Sequence, residues 1–372
     1  MIYADNAATT MLDRDAFEAM KPYFLENYAN ASQPYAFSRQ AKKALATSRA
    51  TIAECIGALP EEIYITSGGT ESDNWAIKGT LQCNDKKRII TSVIEHHAIL
   101  NSCAAMQRNG YVVDYVPVDS DGMVEPDTLC SYITNNTKLV SIMMANNEIG
   151  TIQAIKELCT ISHKNGALFH TDAIQAVGHT PINVHDLDVD MLSASGHKFY
   201  APKGIGFLYI KKGTPIYPYA DGGSQEFGMR AGTENIASIV AMATSLRKCC
   251  DTMQSDIQKL KNMENILLNT LKTAHIDFIR NGKNNISGNV SLSIKNVEGE
   301  MLLHRLDLKG ICVSTGSACN ANNTQISHVI KAIGVPLEYA KGTIRISFGV
   351  NNRECDAEII AKALIQILEY AK

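Results

Sequence analysis

The chain has 372 residues, 45% of them hydrophobic, with a formal net charge of −3, which is enough apolar material for a substantial core and, by size, about two domains. This charge gives no basic face for tight nucleic-acid binding, residues 86–88 being one short solvated cluster, and no apolar run approaches the roughly 18 residues of a membrane span. Residues 1–10 lack the charged and apolar regions of a secretory signal, and ten cysteines without framework spacing argue for reduced thiols, so a cytoplasmic protein is expected.

Strand-like and helix-like patterns alternate from residue 14 to residue 250. The β-branched run 62–66 leads into Ser67-Gly68-Gly69-Thr70 and an amphipathic helix to Gly79. Such a turn points backbone N–H groups and two hydroxyls at one spot, which suits a phosphate. Thr70 also reads as a helix cap with Asp73 three residues on, a role compatible with phosphate binding. The turn lacks both Gly-x-Gly-x-x-Gly and Gly-Lys-Ser/Thr, so neither a dinucleotide fold nor a P-loop is supported. Further strand-like runs occupy 88–93, 111–118, 138–146, 167–171 and 204–210, and the alternation predicts an α/β sheet covered by helices. Helical periodicity then holds from 237 to about 274, long enough to bridge two domains. Short strands at 289–294, 311–314 and 343–348 mix with helices, and the last helix, 356–370, repeats its apolar face at 359, 360, 363, 364, 367 and 368. This reads as a smaller α+β domain.

Several strand ends carry chemistry. Lys198 follows a short apolar strand and a Ser-Gly-His turn, where a partly desolvated amine could hold pyridoxal phosphate as a Schiff base. Asp172 ends the strand 167–171 with Gln175 one turn on; a buried carboxylate is the usual partner that keeps the pyridine nitrogen of that cofactor protonated. Arg345 sits in the alternating run 342–348, either as a solvent-facing residue paired to an acid or as a fork for a carboxylate. Among the cysteines, Cys319 stands apart. It follows the small-residue run 314–318 and precedes the polar stretch 320–325, the composition of an exposed loop, whereas Cys312 alternates like a strand residue in 311–313 and reads as core.

SGGTESDN, IEHHAIL, NNEIGTIQ, TDAIQAVGH, SGHKFYAPKGIG, MRAGTEN, STGSAC and IRISFG occur in that order across nearly the whole chain. Together they resemble the cysteine desulfurase family of class V aminotransferase-like enzymes, in the branch of the nitrogen-fixation and housekeeping iron–sulfur desulfurases. The resemblance implies a type I pyridoxal-phosphate transferase fold: a large α/β domain with a mainly parallel sheet at 13–259, and a small α+β domain from 1–12 and 260–372 carrying the Cys319 loop. It implies that Lys198 bonds the cofactor, Asp172 pairs with the pyridine nitrogen, His96 stacks on the ring and Gln175 meets the phenolic oxygen. Gly69, Thr70, Ser195 and His197 would cradle the phosphate, joined by Thr233 from the second subunit of a homodimer. Asn147 and Arg345 would hold the substrate carboxylate.

By the same resemblance L-cysteine would become L-alanine, with its sulfur passed to Cys319 as a persulfide and on to an acceptor such as an iron–sulfur scaffold or a thiolation enzyme. A loop suits a thiol that must reach both substrate and acceptor. His96 would relay protons, while His97, its neighbour on an extended segment, is expected to point away and be structural. No resident metal is expected, although Cys319 could transiently ligate an iron–sulfur cluster with a partner. The alternatives are a selenocysteine lyase, a cysteine sulfinate desulfinase or another class V enzyme, and, further off, a cofactor-bound scaffold without turnover. Ala31, Tyr35 and Ser38 stand where the family commonly has Pro, His and Gly, and Asn320 where it more often has Thr or Ser. Those departures leave the contact near Tyr35, loop dynamics and acceptor choice open.

Overall fold

The computed structural model describes residues 1–81, 83, 86–315 and 326–369. Among these, the strands in chain order are β1 (Ile2–Tyr3), β2 (Ile63–Thr66), β3 (Arg88–Ser92), β4 (Val112–Val116), β5 (Thr137–Ser141), β6 (Leu168–Asp172), β7 (Met191–Ser195), β8 (Gly206–Ile210), β9 (Phe278–Arg280), β10 (Asn289–Ile294), β11 (Ile311–Cys312) and β12 (Thr343–Ser347). Strands β2 to β8 form one sheet in the order β2-β8-β7-β6-β5-β3-β4. It is parallel from β4 through β7 and antiparallel on both sides of β8. Strands β5, β7 and β8 are buried along their whole length, as expected of a sheet covered on both faces, and apart from Lys138 in β5 their residues are apolar, aromatic or small.

Every parallel step needs a crossover, and helices supply them. Helix Gly69–Leu81 follows β2, helix His97–Arg108 follows β3, and helix Ile155–Lys164 leads into β6. The catalytic side of such a sheet is where strands hand over to turns, at their carboxyl ends. Here β2, β3, β6 and β7 end at Thr66, Ser92, Asp172 and Ser195, immediately before the residues singled out in sequence.

Helix Ile236–Thr273 runs for 38 residues and connects two hydrophobic cores. Its first half, with Ile239, Met242 and Leu246, joins the core beneath the large sheet; its second half, with Leu260, Met263, Leu267 and Leu271, joins another core built with β10, β12 and helix Glu354–Glu369. Strands β12-β10-β9 make a small antiparallel sheet there. The early strand β1 pairs in parallel with β11, and Ala4 is buried in that second core. Asp5 then bridges to Ser347 at the end of β12, so residues 2–5 belong spatially with the last third of the chain.

Candidate active site

A cavity of about 640 Å³ opens at the carboxyl ends of the large sheet, between the two cores. Gly69, Thr70, Ser195 and His197 line it together with Asp172, Gln175, Lys198 and His96, and Asn147 and Arg345 line it from the side of the smaller sheet. Ten of the twelve expected site residues therefore meet in one space. Thr233 lies on an exposed loop and is not in this wall. Cys319 lies outside the described residues, as do Asn320 and the rest of 316–325.

The turn after β2 approaches the turn after β6 and the start of β8 so closely that side chains are excluded. A Cβ on Gly69 would fall 2.0 Å from Ile174 Cδ1, and one on Gly206 would fall 2.7 Å from Gly68 Cα. This bare backbone lies beside the Ser195 and His197 side chains, with helix Gly69–Leu81 starting there, a natural anion seat. Thr70 is inside the first turn of the helix rather than at its cap, and Asp73 faces the interior, fully buried. The capping role suggested by their spacing is thus not what this turn uses; Glu71 instead accepts from the Ser67 amide at 3.1 Å and is held by Arg230 at 2.9 Å.

Lys198 ends a short 3-10 turn directly after β7, and its Nζ donates to the carbonyls of Ala7 at 2.6 Å and Ala8 at 2.9 Å. Gln175 Nε2 donates to the Ala7 carbonyl as well, at 3.0 Å. His197 Nδ1 meets Thr9 Oγ1 at 3.1 Å. The segment 7–9, silent in sequence, is therefore a wall of the site.

Asp172, 4% exposed, accepts from the Ile174 amide at 2.9 Å. Burial lifts its carboxyl to about 6, against the opposing pull of that amide and of the Lys198 charge. His96 caps the helix His97–Arg108, its Nδ1 accepting from the Ala98 amide at 3.1 Å. That bond places the neutral ring's proton on Nε2. Burial, helped by the Lys198 charge, pulls His96 down to about 4 and His197 likewise to about 4, so both rings are neutral near pH 7.

Arg345, its side chain 6% exposed, donates from Nη1 to the Asn147 carbonyl and from Nη2 to Asp5 Oδ1, both at 2.8 Å. The guanidinium is thus paired to an acid, one of the two roles its sequence position allows, but inside the cavity wall rather than toward solvent. Its Nε is buried and has no hydrogen-bond partner among the described residues.

His97 overturns an expectation. It lines the cavity, because the chain turns helical at this residue and the alternation of an extended segment no longer applies. Its ring meets the His328 ring edge-on at 5.1 Å, and His328 in turn reaches the Glu95 carbonyl at 3.1 Å. Glu148 also lines the cavity, pushed up to about 7 by burial. Glu148 follows directly after Asn147, yet no local pattern distinguishes it. Cys312 lies in β11, a strand residue as its alternation indicates, but it is half-buried and not the core residue expected. Tyr35 is exposed and not in the cavity wall.

The chemistry of this wall fits pyridoxal phosphate: an anion seat at one end, a buried carboxylate in need of a cation at the other, and an amine and an imidazole between them. The family described as Aminotransferase class-V matches residues 2–360. A protein named cysteine desulfurase IscS from Dictyoglomus turgidum is 45% identical, the match covering 99% of this chain and 94% of that one. One of the same name from Methanosarcina thermophila is 46% identical, covering 99% and 92%. Among solved structures, a NifS-like protein superposes with a TM-score of 0.94 at 35% identity over 99% of both chains, and SspA in complex with cysteine with 0.83 at 33% identity, over 94% of this chain and 99% of that one. The fold, the wall of the cavity and these likenesses agree: the chain belongs to the cysteine desulfurase family of the class-V aminotransferases.

Proposed function

We propose that this protein binds pyridoxal phosphate in the 640 Å³ cavity and converts L-cysteine to L-alanine, passing the sulfur to Cys319 for delivery to an acceptor that builds iron–sulfur clusters or thiolates other molecules. The observation that carries the reading is the single wall joining the Lys198 amine, the Asp172 carboxylate and the bare backbone at Gly69. When bound, the cofactor supplies an electron sink for charge developing at the substrate Cα. Lys198 would hold it, Asp172 would keep its ring nitrogen protonated, His96 would cover the ring, Gln175 would face its phenolic oxygen, and Gly69, Thr70, Ser195 and His197 would seat its phosphate.

The remaining work belongs to this chain's own groups. Arg345 and Asn147 orient the substrate carboxylate, and the fork must release Asp5 or the Asn147 carbonyl to do so. Lys198 Nζ, placed on β7's turn by two carbonyls, moves the proton at Cα. His96 Nε2 carries a proton that it can lend to the departing or arriving group. The Cys319 thiolate attacks the substrate sulfur: the C–S bond breaks, an S–S bond forms, and alanine leaves with its β-carbon protonated.

Two organisational readings accompany this. Residues 13–259 form the large domain and 1–12 with 260–372 the small one, which the two hydrophobic cores support. The protein works as a homodimer, with Thr233, exposed here, completing the partner's phosphate seat; exposed Tyr217, Tyr219 and Phe227 on the same loop region give that contact apolar area. Among the described residues no helix is long and apolar enough to cross a membrane, and a cytoplasmic setting suits a reduced thiol.

Single-turnover incubation with L-cysteine tests the proposal. Alanine release and a persulfide mass on Cys319 are expected, both lost in Cys319→Ala and Lys198→Ala. A bound chromophore with sulfur release that ignores Cys319 would move the protein to another pyridoxal-phosphate chemistry.

A further inference from the structure

Asp172 is not alone beneath the cavity. His170 lies two residues before it on β6, hence on the same face of the sheet, and helix Gly69–Leu81 brings Asp73 against that face. Asp73, His170 and Ser193 are all 0% exposed. His170 meets Ser141 Oγ at 2.9 Å through Nδ1 and Ser193 Oγ at 3.0 Å through Nε2, and the same Nε2 lies 3.9 Å from Asp73 Oδ1. Burial pulls this imidazole down to about 3, so it supplies no positive charge near neutral pH.

Among the described residues, neither carboxyl oxygen of Asp73 has a hydrogen-bond partner of good geometry. Ser193 is the one neutral group that favours its charged form, and that hydroxyl is already shared with His170. The other titratable groups facing Asp73 are Asp172 and Glu95, both acids. An ionised Asp73 would thus be a buried charge with no cation and two like charges nearby, an arrangement folded proteins avoid. Asp172 differs on each count: it has the Ile174 amide, the Lys198 charge and an edge on the cavity. Two close acids cannot both ionise cheaply, and their surroundings decide which one yields.

We propose that Asp73 is a positioning residue for Asp172: it keeps the proton of the pair and so leaves Asp172 the single carboxylate charge under the cavity, ready for a protonated ring nitrogen. The proposal rests on the reading of Asp172 as that nitrogen's partner. A neutral Asp73 brings no second charge to the Ser193–His170–Ser141 chain that fixes the layer on which Asp172 stands. It also predicts a coupling: take the charge from position 172, and Asp73 gives up its proton at lower pH.

The test uses the full chain with its cofactor, labelled with carbon-13 at the aspartate carboxyl, so that Glu95 and Glu148 stay silent. Each resonance is assigned by its loss in Asp73→Asn or Asp172→Asn. Between about pH 7 and pH 8, above the value of about 6 to which burial lifts Asp172, Asp73 is expected at the carboxylic-acid position and Asp172 at the carboxylate position. In Asp172→Asn the Asp73 titration moves to lower pH. Asp73→Asn, a neutral isostere, is expected to shift the pH midpoint of the cofactor's visible absorption by less than about threefold in proton affinity. A carboxylate shift at Asp73 in that range, a proton found on Asp172, an unmoved titration in Asp172→Asn or a larger midpoint shift would each overturn the proposal. Should Asp73→Asn not fold, the parent and Asp172→Asn decide alone. The labelled resonances are also readable without cofactor, so a chain that binds none would sink the cofactor reading while the protonation of Asp73 is still measured on its own.

Discussion

Glu226 and Asp73 are both buried carboxylates, 6% and 0% exposed, yet their surroundings are opposite. Glu226 is gripped by both terminal nitrogens of Arg49, at 2.7 and 2.8 Å, and accepts from the Ile65 amide at 2.9 Å. Arg49 also reaches the Ile63 carbonyl and lies 5.2 Å over the Phe227 ring. This clamp holds Glu226 at φ 47° and Phe227 at φ 57°, two successive non-glycine residues in the left-handed region, each costing on the order of 1 kcal/mol. Asp73 has no such grip. A fully paired buried charge such as Glu226 fixes a backbone shape, whereas an unpaired buried acid such as Asp73 retains a proton to exchange.

The sharpest separation of the two regions comes from Lys198→Ala. Turnover of L-cysteine is expected to fall by about 10⁴-fold, read as alanine release, because the amine that would hold the cofactor and move the Cα proton is lost. A drop of less than tenfold would mean the cavity is not where the chemistry occurs. Glu226→Ala should act on stability alone, lowering the unfolding free energy in denaturant by about 3–5 kcal/mol as Arg49 is left buried without its acid. Restoring most of that loss with Arg49→Met in the same chain would confirm the clamp; an unfolding midpoint equal to the parent's would refute it. Arg345→Lys should raise the KM for L-cysteine about 10- to 30-fold with a smaller change in kcat, since one ammonium cannot serve the Asn147 carbonyl and a carboxylate in the same plane.

The smallest effect is a slope. Burial pushes Glu95 up to about 8 from an ordinary 4.5, so between those values the folded chain keeps a proton that the unfolded chain has lost, and stability falls as pH rises. His96 and His197, pulled down to about 4 from 6.5, act below 6.5 with the other sign: the unfolded chain takes up protons first, and stability falls as pH drops. Above pH 6.5 the histidines are silent and the raised carboxyls act together: Glu95, Glu148 and the proton-keeping Asp73. Thermal or denaturant unfolding should therefore show stability declining from pH 6.5 to 8, with Glu95→Gln removing on the order of 1 kcal/mol per pH unit of that decline. Identical slopes in parent and variant would count against the buried, protonated Glu95.

Much of this architecture is legible in the sequence because it is local. Strand-like runs mark β3 to β8, and Thr70, His96, Asp172 and Lys198 each follow a strand closely enough to be placed at its carboxyl end. Asp172 and Lys198 need no more than that. What escapes is contact between distant segments. Nothing in the run at 7–9 announces that its carbonyls hold Lys198, and Asp73 reads as a capping partner because spacing along a helix says nothing of the strand packed against it. His97 differs from its expected placement by one backbone step, at the point where extension becomes helix. The second sheet's β9 and the early strand β1 are too short for their pattern to register.

Arg345 meets Asp5 across 340 positions, and Lys198 meets Ala7 across 191. During synthesis from the amino end, residues 5–9 leave the ribosome long before the strand they must join, although domains ordinarily fold in the order they emerge. The large sheet can close early, but the pocket cannot. Its last wall joins residues 5–9 to Arg345 and must wait for that strand, so the cavity around the reactive amine is not enclosed before β12 has been synthesised.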